Sequence, residues 1–333
     1  MVVVNFYFVH AKWLIDRQRV IDEFTKQIKK YQFRSIQIGN IMTINEMDPN
    51  DIPAHIMQQY VSYAQLPDNH PYNGFLKNMH VFQLSNVLKH LRAIELISKS
   101  TNDTDVHIVL EDDIIYENRL CLLLESLVRR LPTSYDFIFL GLPTNKNANN
   151  LHDVHFQNTS ELFKVLPYCD SYVLSNNAAK KMLETFMPIK FMTNIQLSYL
   201  IEKLNFKPQL AYPNIFMDGS KIGNFISYLN PNNTLMFNND YMNVKNLISK
   251  ETLISPEEEQ AVEKIIANSP ISNHPDFSYL KAKYLQRKGL HNEAKNVFEK
   301  TYHTYKNAKC ILNHESVFLK DYIKHFKYLQ TDI

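Results

Sequence analysis

The stretch Val106-His107-Ile108-Val109-Leu110-Glu111-Asp112-Asp113 decides the fold. A nearly unbroken apolar run of strand-forming residues ends abruptly in three carboxylates. Such a run, without polar alternation, marks a strand buried on both faces, as in α/β sheets. Ligands of open α/β sheets bind beyond the carboxyl ends of the strands. The three acids therefore stand where a ligand is expected. Alternation along a strand sends residues 111 and 113 to one side and 112 to the other. Glu111 and Asp113 are expected to converge on one hard divalent cation, Mn²⁺ or Mg²⁺, which takes oxygen ligands. Asp112 is expected to hydrogen-bond a ribose or the backbone. The plainer alternative is a solvated acidic turn leading into the next helix.

Working outward, helix and strand patterns alternate. Val2–Val9 reads as a buried strand. Residues 16–30 carry Val20, Ile21, Phe24 and Ile28 at helical spacing. Residues 34–38 read as a second strand, closed by Gly39-Asn40. This β-α-β opening predicts an α/β fold. Residues 43–75, with Pro53, Pro67 and Pro71, read as a long irregular surface segment. Further helices are predicted over 82–98, 120–131, 176–186 (capped by Ser175) and 195–204. Further strands are predicted over 137–140, 172–174 and 209–212. Residues 144–160 read as a polar loop, and 230–246 as a linker, so the domain boundary is placed near 247. Ser255-Pro256-Glu257-Glu258 then signals a helix start. Helices follow over about 275–288, 291–305 and 310–329, the first two split by Gly289, and no strand pattern recurs.

Composition excludes several classes. The chain has 333 residues and only six glycines, against roughly 23 at average usage, which removes collagen-like and Gly-rich low-complexity readings. A hydrophobic share of 45% supports a sizeable core. A net charge of +2 excludes nucleic-acid binding by bulk electrostatics. Residues 276–333 nonetheless hold eleven Lys/Arg against six Asp/Glu. Cys121, Cys169 and Cys310 are scattered without metal or disulfide spacing. No apolar run is long enough to span a membrane, and no signal-peptide pattern is seen, so a soluble cytoplasmic protein is expected. The abundance of Asn, Lys and Ile suits an AT-rich, for instance viral, genome.

Several pieces together resemble glycosyltransferase family 25, which includes lipooligosaccharide and collagen β-galactosyltransferases. The acidic triplet is similar to that family's metal motif. Ser85–Ala93 resembles its Ser/Cys-x-S-H-x-x-A helix. Phe137-Ile138-Phe139-Leu140-Gly141 resembles its D-I-I-Y-L-G strand. The segment from Ser171 to Leu183 is similar to A-Y-V-I-S-x-x-G-A-K-K-L-L, and Asp218-Gly219-Ser220 to its late Q-D-G-S. Residues 6–17 resemble its I-N-L-x-R-x-x-x-R opening. The likeness covers roughly residues 1–228. It implies a GT-A fold with a Rossmann-like nucleotide half, a UDP-sugar donor, most often UDP-galactose, and inversion at the anomeric carbon. The sequence departs from the pattern at Val9-His10, at Met192-Thr193-Asn194, which lacks the usual acid, and at Met217.

Further site residues follow. Arg17 is expected to meet the uracil or a phosphate, unless it is a plain helix-start arginine. His90 is either a satisfied core histidine or, by the resemblance, part of the donor site. Asp218 could serve as a third metal ligand or as the base that deprotonates an acceptor hydroxyl, and Asp170 is a second base candidate. Gly219 and Lys221 are expected near the diphosphate, because two glycines within five residues, 219 and 223, mark a close backbone approach. His152, Asp153 and His155 suggest a metal cluster but read better as a solvated loop. Residues 281–305 resemble one tetratricopeptide repeat, a surface for a protein partner. The whole predicts a transferase domain over 1–246 and a small α-helical domain over 247–333. The expected activity moves a hexose from a UDP-sugar to a glycan or protein hydroxyl. A catalytically inactive binding or adaptor protein and a nucleotide-sugar hydrolase remain open.

Overall fold

The computed structural model describes residues 1–53, 55–56, 60–61, 79–141, 153–159, 169–222, 225, 239–248, 255–269, 272 and 275–307. The chain divides into two compact units, Met1–Asp218 and Gly219–Ile333.

The first unit is α/β. In chain order its elements are β1 (Val2–Val9), α1 (Ile15–Lys30), β2 (Ile36–Ile44), a 3₁₀ turn (Pro49–Asp51), α2 (Val81–Ser98), β3 (Val106–Glu111) and β4 (Ile114–Ile115). There follow α3 (Leu120–Arg130), β5 (Phe137–Phe139), β6 (His155–Asn158), β7 (Ser171–Leu174), α4 (Asn176–Thr185), α5 (Thr193–Lys203), β8 (Gln209–Tyr212) and β9 (Met217–Asp218). Seven strands form one mixed sheet in the order β2-β1-β3-β7-β5-β8-β6, and β4 pairs with β9 in a separate ribbon. Strands β2, β1 and β3 are mutually parallel. Strand β7 is antiparallel to both β3 and β5, β5 is parallel to β8, and β6 is antiparallel to β8. This is compatible with a Rossmann-like domain.

Period-two alternation builds the layers. Phe6, Phe8, Ile108 and Leu110 pack with Ile21, Phe24 and Ile28 of α1 and Leu123, Leu124 and Leu127 of α3. Tyr7, Val9 and Val109 face the opposite core, shared with α2, α4 and α5. The sheet is thus covered on both faces, which is why its central strands read as apolar runs. Phe24 is the peg of the first face: its ring meets Phe6 and Phe8 edge-on, each at a centroid distance of 5.2 Å, contacts worth about 0.5–1.5 kcal/mol each. Phe24 thereby fixes the helix that carries Arg17.

Three expectations need correction. Strand β2 does not stop at Gly39-Asn40 but continues to Ile44. A bulge opposite Val4–Phe6 absorbs the irregularity, and the Asn5 side chain accepts a hydrogen bond from the Asn40 amide at 2.8 Å. Gly39 is needed there for space, since an added Cβ would lie 2.4 Å from Asn5 Oδ1. The polar stretch 144–160 contains β6, paired with β8; residues 142–152 and 160, with His152, lie outside the described residues. Much of the long segment 43–75 also lies outside them, although its first two residues belong to β2.

In the second unit the described elements are helices: α6 (Gly219–Ile222), α7 (Asn239–Ile248), α8 (Pro256–Asn268), α9 (Pro275–Arg287) and α10 (His291–Asn307). Helix α7 occupies part of the expected linker, whose residues 230–238 are outside the described set. Ser255 forms the anticipated cap: its hydroxyl accepts from the Glu258 amide at 3.2 Å, and Glu258 accepts from the Ser255 amide at 3.1 Å. Gly289, at φ +77°, turns the chain between α9 and α10, and Ala282, Ala294 and Phe298 pack where these two helices cross. The helix expected over 310–329 lies outside the described residues. No described helix is long and apolar enough to cross a membrane.

Candidate functional site

The carboxyl edge of the sheet gathers five acidic side chains, and the topology explains each. Strand β3 delivers Glu111, Asp112 and Asp113 at its end. Because β7 runs antiparallel to β3, its beginning lies at the same edge, with Leu110 opposite Ser171. The Glu111 amide donates to the Asp170 carbonyl at 2.7 Å, which seats Asp170 beside Glu111. The β4–β9 ribbon pairs Ile114 with Asp218 and so brings Asp218 next to Asp113. Asp112, Asp113, Asp170 and Asp218 are all buried.

Glu111 and Asp112 have different partners, as strand alternation requires, whereas Asp113, in the turn after β3, shares Arg17 with Asp112. Glu111 turns towards α2: its Oε1 accepts from Asn86 Nδ2 at 3.1 Å and lies 3.1 Å from His90 Nε2. Asn86 in turn accepts a short hydrogen bond from the Thr193 hydroxyl. Asp112 turns the other way. It accepts from Arg17 at 2.5 Å, from His10 Nδ1 at 2.9 Å and from the Ala11 amide at 3.3 Å. Asp113 has Arg17 at 3.7 Å, but its buried Oδ1 has no hydrogen-bond partner among the described residues.

Electrostatics separates the same groups. Burial acts to raise the Glu111 carboxyl, but the hydrogen bonds and charge of His90 and the bond from Asn86 outweigh it and hold the group low. Burial opposes ionisation of Asp112 too, and there Arg17 and His10 prevail. For Asp113 burial wins: its pKa is pushed up to about 8, against the pull of Arg17 and with Asp218, Glu111 and Asp112 adding repulsion. Burial, then Asp218, Glu111 and Asp113, raise Asp170 well above the ordinary range. Like charges this close cannot all ionise unaided, so Asp113 and Asp170 hold their protons more tightly than free carboxyls do. The donor set, oxygen only, suits a hard divalent ion.

The remaining predicted residues fall as follows. Arg17 is buried and spent on Asp112 and Asp113, so its visible role is internal counter-ion. Asp112 likewise serves His10, Arg17 and backbone. His90 is fully buried, with Nδ1 3.0 Å from the Tyr172 hydroxyl, and stands behind Glu111. Gly219 opens α6 in the second unit; Gly223 and the side chain of Lys221 lie outside the described residues. Among the described residues a close approach also requires glycine at Gly141, where an added Cβ would lie 2.2 Å from the Phe216 carbonyl oxygen. That contact holds the chain leading into β9. Asp153 is bound by Arg129 at 2.6 Å and Arg130 at 3.1 Å, an exposed ion-pair role.

Sequence reasoning missed a second rank of residues. Lys89, only 2% exposed, bonds Asp48 and the His10 carbonyl and pins the end of β1. His10, Asn86 and Tyr172 also went unassigned. A usable signal existed in α2: Asn86 and His90 are one helical turn apart on one face, and Lys89 interrupts apolar neighbours. No protein-family model matches the chain, and no curated protein matches it significantly.

Proposed function

We propose that the first unit is an inverting glycosyltransferase that takes a hexose from a UDP-sugar and acts with Mn²⁺ or Mg²⁺. The observation that carries the reading is the convergence of Asp113, Asp170, Asp218 and Glu111 at the carboxyl edge of the sheet, with Asp113 Oδ1 unpartnered among the described residues. The resemblance of the surrounding segments to glycosyltransferase family 25, and a GT-A reading of the sheet, belong to the same proposal. Asp113 and Asp218 would hold the cation, with Glu111 at its border. A divalent ion held there would neutralise the charge of a departing diphosphate.

The protein's own residues do the rest. Arg17 and His10 keep Asp112 ionised and fixed, so β3 ends in a rigid turn. His90 and Asn86 aim Glu111. Asp170, whose raised affinity for protons suits a general base, takes the proton of the acceptor hydroxyl. That oxygen bonds the anomeric carbon as the bond to the diphosphate oxygen breaks on the opposite face, and UDP leaves with the electron pair. The acceptor is a glycan or protein hydroxyl.

The test is turnover of UDP-hexoses with Mn²⁺, with and without candidate acceptors. Transfer that is lost in Asp170→Asn and Asp113→Asn is expected. Absence of turnover with every UDP-sugar overturns the transferase reading, and sugar release indifferent to acceptor makes the protein a hydrolase. For the second unit, an acidic protein partner is proposed, supported by a cleft of about 550 Å³ lined by Tyr241, Tyr279, Lys245, Lys283 and Arg287. Charge reversal at Lys283 should abolish such binding.

A further inference from the structure

Beside the all-oxygen cluster lies a group of different chemistry. His90, Glu111 and Cys169 each offer one ligand atom, and these atoms lie within 4.8 Å of one another. We propose that they form a site for a borderline-soft divalent cation, zinc foremost, distinct from the hard-cation position at Asp113 and Asp218. The site does not depend on the transferase reading.

Imidazole nitrogen, carboxylate oxygen and thiolate sulfur together are a zinc donor set, whereas Mg²⁺ and Mn²⁺ favour oxygen. Bonds of about 2.0–2.3 Å bring tetrahedral ligand atoms to roughly 3.5 Å apart. The cluster therefore has to close by about 1 Å, which side-chain rotation of Cys169 and Glu111 supplies. His90 Nε2 and Glu111 Oε1 are already 3.1 Å apart. Three protein ligands leave a fourth position for water.

The surroundings of the three ligands are already built, which is the mark of a metal site. His90 Nδ1 is 3.0 Å from the Tyr172 hydroxyl, which can accept Nδ1–H and leave Nε2 to a cation. Tyr172 itself stacks on Phe137 at 4.6 Å. Asn86 orients Glu111, and Thr193 orients Asn86. The Glu111 amide to Asp170 carbonyl bond ties the Cys169–Asp170 backbone to the end of β3, so the ligands cannot drift apart. His90 and Cys169 are buried, and Glu111, 17% exposed, is the side from which an ion enters. The charges close as well. Thiolate and carboxylate together balance a 2+ ion. On binding, the Cys169 thiol proton goes to solvent, and the ring proton of His90 moves from Nε2 to Nδ1.

The experiment titrates the metal-free full-length chain with Co²⁺ as a spectroscopic probe and with Zn²⁺ alone by equilibrium dialysis. The expected result is one cobalt equivalent with a thiolate-to-cobalt charge-transfer band, absent in Cys169→Ser. Zinc affinity should fall at least about tenfold in Cys169→Ser and in His90→Gln. Asp113→Asn should keep the band while losing Mn²⁺ binding, and Cys169→Ser should keep Mn²⁺ binding. Cys169→Ser is nearly isosteric, so circular dichroism of that variant shows that loss of the band is not loss of fold. A missing charge-transfer band in the wild-type chain, or equal zinc affinity in Cys169→Ser, overturns the site. Loss of the band in Asp113→Asn overturns its separateness.

Discussion

Replacing Asp113 by Asn should stabilise the metal-free protein, and the gain should grow with pH. The group is 5% exposed, and its pKa is raised from 3.8 to about 8. A carboxyl whose folded pKa exceeds its unfolded pKa binds more protons in the folded state between those two values. Stability therefore falls as pH rises across that window and levels off above it. A shift of about four units at about 1.4 kcal/mol each sets a ceiling of about 6 kcal/mol above pH 8. Neighbouring carboxylates take up part of that, and Arg17 loses a 3.7 Å partner. A net gain of at least about 1 kcal/mol should remain, or about 2–4 °C in Tm for a unit of this size. The amide keeps the shape and removes the charge. The assay is thermal melting by circular dichroism in EDTA at pH 5 and pH 8.5. The Asn variant should gain little at pH 5 and most at pH 8.5. Added Mn²⁺ should raise the wild-type Tm and leave the variant unchanged. An advantage independent of pH, or a wild type that gains more than the variant between pH 5 and 8.5, refutes the reasoning.

Other perturbations follow from the same packing. Arg17→Ala leaves the Asp112 carboxylate buried with only hydrogen bonds from His10 and the Ala11 amide, and should cost about 3 kcal/mol in urea unfolding. Gly141→Ala places a methyl 2.2 Å from the Phe216 carbonyl oxygen; it should cost about 2 kcal/mol, as overpacking does, and weaken Mn²⁺ binding by displacing Asp218. In the second unit, Ser255→Ala removes a capping box worth about 1 kcal/mol, and amide exchange near Glu258 should quicken about fivefold.

Much of the frame was legible because burial and period act locally. The run 106–110 and the helical spacing of Ile21, Phe24 and Ile28 each reported a face pressed on a core. The opposite turning of Glu111 and Asp112 also follows from strand alternation alone. Strand order was beyond reach. Nothing in Ser171–Leu174 says that this strand enters antiparallel between β3 and β5, yet that reversal is what puts Asp170 and Cys169 at the ligand edge. For the same reason the scattered cysteines could not be read as ligands by spacing: His90, Glu111 and Cys169 meet only through the fold. Glycine scarcity by itself could not distinguish a ligand approach from packing such as the crowding at Gly141. Strand β2 outran its predicted end because Asn5, far away in sequence, supplies a bond where Gly39-Asn40 looked like a stop.

The carboxylate cluster draws on three separate stretches, and the last of them, Asp218, closes the first unit. On the proposed reading, the chain carries the acidic triplet of β3 during synthesis long before Asp218 is made, and the cation position is complete only when the β4–β9 ribbon pairs. Affinity for a divalent ion would then report that the unit has been completed.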